Sequence, residues 1–166
     1  FLHEFGHALH GMFSKCTYGS TSMDGVSRDF VELPSQFMEN YALEKEWLDT
    51  WAVHYQTGEK IPQEYIDKIK KSSNFQAGYA SDRQLSFGMV DMAWHTITEP
   101  VTEPLVDFEQ RAMGKTEIMP LVKGSAFSPA FGHIFAGGYA AGYYGYKWAE
   151  VLDADAFSLF KQNGIF

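Results

Sequence analysis

The segment His3-Glu4-Phe5-Gly6-His7 constrains this chain more than any other, because its chemistry is useful only on an α-helix. On a helix, residues four apart share a face and lie about 6 Å apart along the axis. His3 and His7 can then turn two imidazoles toward one point. Neutral imidazole is a borderline ligand suited to Zn²⁺. Glu4 follows the first histidine and falls where a carboxylate reaches a water held by the ion rather than the ion itself, which is the place of a general base. Five residues in this pattern also arise by accident, so the helical context matters. Phe1, Leu2, Phe5, Ala8, Leu9, Met12 and Phe13 recur at helical spacing with no proline among them, which predicts a helix over 1–14.

The rest of the composition narrows the setting. A chain of 166 residues is long enough for one domain with a core, and 45% hydrophobic against 20% charged residues makes it globular rather than disordered. A formal net charge of -8 argues against nucleic acid and against an anionic membrane surface. The single cysteine, Cys16, excludes internal disulfides and cysteine-based zinc sites, and fits a reducing compartment such as the cytoplasm. No signal peptide is present, and no apolar run is long enough to span a bilayer. A ligand-bearing helix that starts two residues before its first ligand would fray. The expectation is therefore that 1–166 is a single partial domain, the catalytic core of a larger polypeptide whose N-terminal and C-terminal parts lie outside this sequence.

Taken in order, the pattern predicts a mainly α chain. After the first helix, Ser14 to Arg28 is rich in Ser, Thr, Gly and Asp and reads as loop, with room for a short β-hairpin near Cys16–Ser22. Pro34 suits the first turn of a long helix running to Tyr55, closed by Gln56-Thr57-Gly58. Further helices are predicted over 62–72, 74–98, 103–114, 139–151 and 153–162, with an irregular stretch over 115–138. There is no internal repeat.

Two histidines leave a catalytic zinc one protein ligand short. A histidine six residues after His7 would complete one type of site, but that position is Phe13. Cys16 lies in the loop without a partner pattern. The remaining option is a carboxylate from a later helix, with Glu32, Glu39, Glu44 and Glu46 as candidates. Glu32 sits in the apolar run Phe30-Val31-Glu32-Leu33, where a carboxylate is costly unless paired or metal-bound. The alternative reading of Glu32 is a favourable charge at a helix N-terminus. Glu44 and Glu46 lie in a charged stretch and read as solvated surface.

A second pattern lies near the other end, over Phe131-Gly132-His133-Ile134-Phe135-Ala136-Gly137-Gly138-Tyr139-Ala140-Ala141-Gly142-Tyr143-Tyr144-Gly145-Tyr146. Its glycines let backbones approach or bend. Tyr139, Tyr143 and Tyr146 fall at i, i+4 and i+7 and would share a helical face. Such a stripe packs a core, or it lines a cleft with phenol donors of the kind that stabilise negative charge on a carbonyl oxygen. Of the other polar residues, His10 reads as a packing or hydrogen-bonding histidine. His54 and His95 have no metal-type partner nearby in sequence. Asp29 could orient a ligand imidazole or cap a helix.

His3-Glu4-Phe5-Gly6-His7, Arg28-Asp29-Phe30-Val31-Glu32 and Pro34-Ser35-Gln36, together with the glycine-tyrosine stretch, resemble the active-site core of the thimet oligopeptidase family of zinc metallopeptidases over nearly the whole chain. The resemblance implies one Zn²⁺ held by His3, His7 and Glu32, with Glu4 as base. It implies that His133, Tyr139 and Tyr146 contact substrate or the oxyanion, with Tyr143 close by. The spacing from His133 to Gly137-Gly138 is one residue longer than in the mammalian members and more like the bacterial ones. The implied substrates are short, unstructured peptides in a channel, one wall of which comes from residues outside this sequence. His7-Ala8-Leu9-His10-Gly11-Met12-Phe13 leans toward the exo-acting peptidyl-dipeptidases, which makes that activity the first expectation. Val31 to Asn40 leans toward the endo-acting oligopeptidases. The rival from another class is a non-catalytic helical scaffold.

Overall fold

The computed structural model describes residues 1–120 and 122–166; Leu121, in the stretch expected to be irregular, lies outside them. The chain is mainly α, as its periodicity predicts, and divides into two compact units, Phe1–Phe75 with Trp148–Phe166, and Gln76–Lys147.

The first unit opens with helix α1 (Leu2–Phe13). No hairpin follows it. Residues Gly19–Thr21 and Met23–Gly25 form two 3₁₀ turns instead. The reason is local: Thr21 Oγ1 donates to Tyr18 O at 2.9 Å and Ser22 Oγ to Gly19 O at 2.6 Å, so hydroxyls occupy carbonyls that a strand ladder would use.

The long helix expected up to Tyr55 is also interrupted. It consists of α2 (Leu33–Glu39), a 3₁₀ turn over Asn40–Leu43 and a single-turn α3 (Lys45–Leu48). Asn40 makes the break. Its Nδ2 donates to the carbonyls of Gln36 and Phe37 at 3.3 and 3.2 Å and to Asp153 Oδ1 at 3.0 Å. Residues 51–61 then fold back on themselves through a bridge between Val53 and Lys60, and α4 (Gln63–Ser73) follows with Ile66 fully buried.

In the second unit, α5 (Ala77–His95) starts three residues later than expected because Gln76 has the left-handed φ of 55°. Helix α6 (Leu105–Met113) and the single-turn α7 (Gly132–Phe135) complete the unit, together with the first turn of α8 (Gly145–Asn163). Val90, Met113, Phe131, Ile134 and Tyr143 form its core. The buried Glu109 carboxylate accepts from Phe127 N and Ser128 N, the closest contact being 2.6 Å.

The last two helices expected from the sequence are one. No glycine or proline lies between Tyr146 and Gln162, so nothing stops α8 at Leu152. Its later turns return the chain to the first unit. There Phe157 and Phe160 pack edge-on against Phe37 with centroids 5.7 and 5.2 Å away. Tyr41 donates its hydroxyl to Ile165 O at 3.1 Å. Among the described residues no helix is long and apolar enough to cross a membrane.

Candidate metal centre and tyrosine cluster

Gly6, between the two histidines of α1, is buried against the first turn of α2. A Cβ there would lie 2.4 Å from Pro34 O and 2.6 Å from Ser35 Cα, closer than carbon tolerates. The backbones of α1 and α2 meet at this point because glycine leaves room for them. Glu32, the residue immediately before α2, is thereby set against the histidine face of α1. Its Oε2 lies 3.3 Å from His3 Nε2 and 3.3 Å from His7 Nε2. The two imidazoles stand nearly perpendicular, at 86°, with centroids 5.1 Å apart.

Glu32 is only 3% exposed. A carboxylate so deeply buried needs compensation; it makes no helix-capping hydrogen bond, and Ser35 in the first turn of α2 donates to its Oε2. Its ligand-type oxygen also faces two imidazole nitrogens, with all three ligand atoms within 4.8 Å of one another. Among the described residues this is the only such convergence of His, Cys, Asp or Glu. Two neutral nitrogens and one carboxylate oxygen make the donor set of a catalytic zinc site with an open fourth position. The residues present fit the ion.

Support surrounds the trio. Ser35 Oγ, fully buried, lies 2.9 Å from Glu32 Oε2 and 2.8 Å from Glu32 O. His3 Nδ1 lies 2.6 Å from Glu39 Oε1, which fixes the ring and leaves Nε2 facing Glu32. Glu39, weighed above as a candidate ligand, thus lies on the far side of the His3 ring from the trio's convergence. Glu44 is engaged with Lys161 at 3.2 Å, and Glu46 is exposed on α3. Glu4 is exposed on α1, one residue after His3. His10 packs edge-on to Phe30 at 6.0 Å, and its buried Nδ1 has no hydrogen-bond partner among the described residues.

The second unit gathers His133, Tyr139, Tyr143 and Tyr146. The rings are neighbours: His133 lies 6.0, 5.9 and 6.3 Å from Tyr139, Tyr143 and Tyr146, and Tyr146 lies 5.1 Å from each of the other two tyrosines. They do not share a helical face. Helix α8 begins only at Gly145, and 137–144 is a chain of turns with positive φ at Gly138 (80°) and Ala141 (53°). The three tyrosines group as their spacing predicts, but through turns rather than a shared helical face. Tyr139 and Tyr143 are buried, Tyr146 is half-buried and His133 is exposed. Burial raises the Tyr143 hydroxyl above the ordinary phenol range, against a hydrogen bond from Gln84 and the charge of Arg83, so it stays a protonated donor at neutral pH.

Sequence reasoning passed over Asp91. It is fully buried, and its Oδ1 and Oδ2 accept from Ala141 N and Tyr143 N, both at 2.9 Å. His95 Nδ1 lies 2.8 Å from Oδ1, so this histidine has a partner one helical turn away. The i, i+4 spacing of Asp91 and His95 was the available signal.

The model of peptidase family M3 matches residues 1–166. The chain is 48% identical over 166 residues to the organellar oligopeptidase A of Arabidopsis thaliana, covering 99% of this chain and 21% of that protein. It is 46% identical over 171 residues to oligopeptidase A of Escherichia coli (99% and 25%), and 40% identical over 165 residues to the dipeptidyl carboxypeptidase of Salmonella typhimurium (98% and 24%). It therefore spans a quarter or less of the length of these relatives. On that full-length match, and with the histidine pair and Glu32 brought together as described, the chain belongs to peptidase family M3.

Proposed function

We propose that this chain is the catalytic core of a longer zinc-dependent peptidase that cleaves short peptides. The observation that carries the reading is the buried Glu32 oxygen, 3.3 Å from both His3 Nε2 and His7 Nε2. In this reading His3, His7 and Glu32 hold one Zn²⁺. When bound, the ion supplies Lewis acidity that brings the pKa of a water toward 7 and polarises a carbonyl.

The chain's own residues do the rest. Glu4 takes the proton of the attacking water on its carboxylate and returns it to the leaving amine. Glu39 holds His3 in the tautomer with a free Nε2. Tyr146 and His133 are assigned to the oxyanion, and Tyr139 and Tyr143 to substrate. Their support is the clustering of three tyrosines around a histidine that faces solvent. The partners are short peptides and the remainder of the same polypeptide, which supplies a wall of the channel; the isolated 1–166 piece is then poorly active. A cytoplasmic setting belongs to the same reading, supported by the lone Cys16.

The relatives bear on where peptides are cut. Those named oligopeptidase A reach 44–48% identity, against 40% for the dipeptidyl carboxypeptidase, which favours the endo-acting reading over the exo-acting one that the residues after His7 suggest. Mass analysis of products from one free and one C-terminally blocked peptide separates the two.

Glu4→Gln tests the mechanism. Zinc content should stay at one per chain while kcat drops by two to four orders of magnitude, roughly the share of a general base. Retained turnover refutes the role of Glu4. Activity indifferent to chelator refutes the metal.

A further inference from the structure

We propose that Asp91 is the positioning residue of the tyrosine cluster: its carboxylate holds residues 137–144 in the turn that sets Tyr139, Tyr143 and Tyr146 around His133. The proposal rests on the reading above, in which these side chains meet the peptide.

Unaided, residues 139–146 would extend α8 toward its N-terminus. Residues 139–146, Tyr-Ala-Ala-Gly-Tyr-Tyr-Gly-Tyr, continue without a proline into α8, and their periodicity is helical. Extending α8 backward would send the amides of Ala141 and Tyr143 to the carbonyls of Gly137 and Tyr139. Both amides go instead to Asp91, at 2.9 Å each. Ala141, between Ala140 and Gly142, takes the left-handed φ of 53°, which a residue with a Cβ adopts only when its surroundings over-determine it. Asp91 is that determinant. It is fully buried on α5, so two amides and the His95 ring, 2.8 Å from Oδ1, are partners it needs as much as they need it.

The clamp is specific to a carboxylate. Ala141 N binds one oxygen and Tyr143 N the other, while His95 Nδ1 lies 2.8 Å from both Oδ1 and the backbone carbonyl of Asp91. An asparagine offers one acceptor oxygen and places an NH₂ group where the second should be. The turn gives the cluster its geometry: with Tyr139 and Tyr143 outside the helix, their rings reach His133 and Tyr146 from separate directions.

The test compares wild type, Asp91→Asn and Asp91→Ala in the full-length polypeptide, with three readouts: amide exchange at Ala141 and Tyr143, zinc affinity by chelator competition, and kcat and KM on a short peptide. Losing a charge-assisted hydrogen bond should speed exchange at these two amides by roughly 10- to 100-fold. Zinc affinity should remain within about twofold, because the metal trio lies in the other unit. The drop should fall mainly on kcat, about tenfold for Asp91→Asn and more for Asp91→Ala, since the oxyanion donors act chiefly in the transition state. Should Asp91→Ala fail to fold, the near-isosteric Asp91→Asn carries the test. Unchanged protection at Ala141 and Tyr143 overturns the clamp. Lost protection with unchanged kcat and KM overturns its role in positioning. A wild type that cleaves no peptide at all removes the peptidase reading, while the exchange data still decide whether Asp91 holds the turn.

Discussion

His3, His7 and Glu32 come together because two short helices meet at one glycine, whereas Tyr139, Tyr143 and Tyr146 come together because a carboxylate some fifty residues upstream holds a turn open. The first arrangement is made of local rules. Helical spacing aligns the histidines, Gly6 sets the distance to α2, and the carboxylate arrives with the start of that helix. The second depends on a long-range contact, since no local rule gives Ala141 a positive φ. A metal site of this build should fail when backbone contact fails. A cluster of this build should fail when one remote side chain changes.

The first half of that contrast is most easily broken at Gly6. Gly6→Ala would bring a methyl group within 2.4 Å of Pro34 O, a backbone atom that cannot swing aside. The helices must part, and overpacking of this kind costs about 1–3 kcal/mol or more. Because Glu32 moves with α2, the ligand geometry goes with it. We expect zinc affinity to fall by roughly 100-fold or more, about 3 kcal/mol at 1.4 kcal/mol per tenfold, while amide protection at Ala141 and Tyr143 is unchanged. Wild-type zinc affinity in Gly6→Ala would show that the trio does not depend on the close approach.

The same contrast explains what could be read in advance. The histidine pair was legible because four-residue spacing on a helix is a geometric identity, and Glu32 stood out as a charge in an apolar run. The tyrosine grouping was legible, but its secondary structure was not, because the amides of Ala141 and Tyr143 answer to Asp91 rather than to their neighbours. The break at Asn40 was hidden for a similar reason: its side chain turns back on Gln36 and Phe37 while reaching Asp153, more than a hundred residues later. Long-range hydrogen bonds overrode periodicity in both places.

A smaller effect separates ligand from supporter. Glu39→Gln keeps the shape of the side chain but replaces the carboxylate that faces His3 Nδ1 at 2.6 Å. Partners of this kind are worth about 10- to 100-fold in metal affinity. Glu39 is exposed, which places the expectation near the lower figure. The measurement is zinc affinity by chelator competition, with kcat followed at saturating metal. An affinity loss as large as that of Glu32→Ala would make Glu39 a ligand in its own right and redraw the site.

The smallest effect belongs to Ser35, and its sign is informative. Ser35 Oγ sits 2.9 Å from Glu32 Oε2, the oxygen that faces both imidazoles. A carboxylate oxygen has lone pairs enough for a hydroxyl and an ion together. If Ser35 aims Glu32, Ser35→Ala should weaken zinc binding about three- to tenfold, the worth of a typical hydrogen bond at about 1 kcal/mol. If the hydroxyl competes with the ion for that oxygen, affinity should instead rise. Ser35 Oγ also lies 2.8 Å from Glu32 O, so its single proton is shared between two acceptors of the same residue. The shared bond still orients the carboxylate, and it predicts a fall that is small. A rise would mean that Glu32 is held back from the metal by its own helix, and that the metal centre, too, is governed by a side chain other than its ligands.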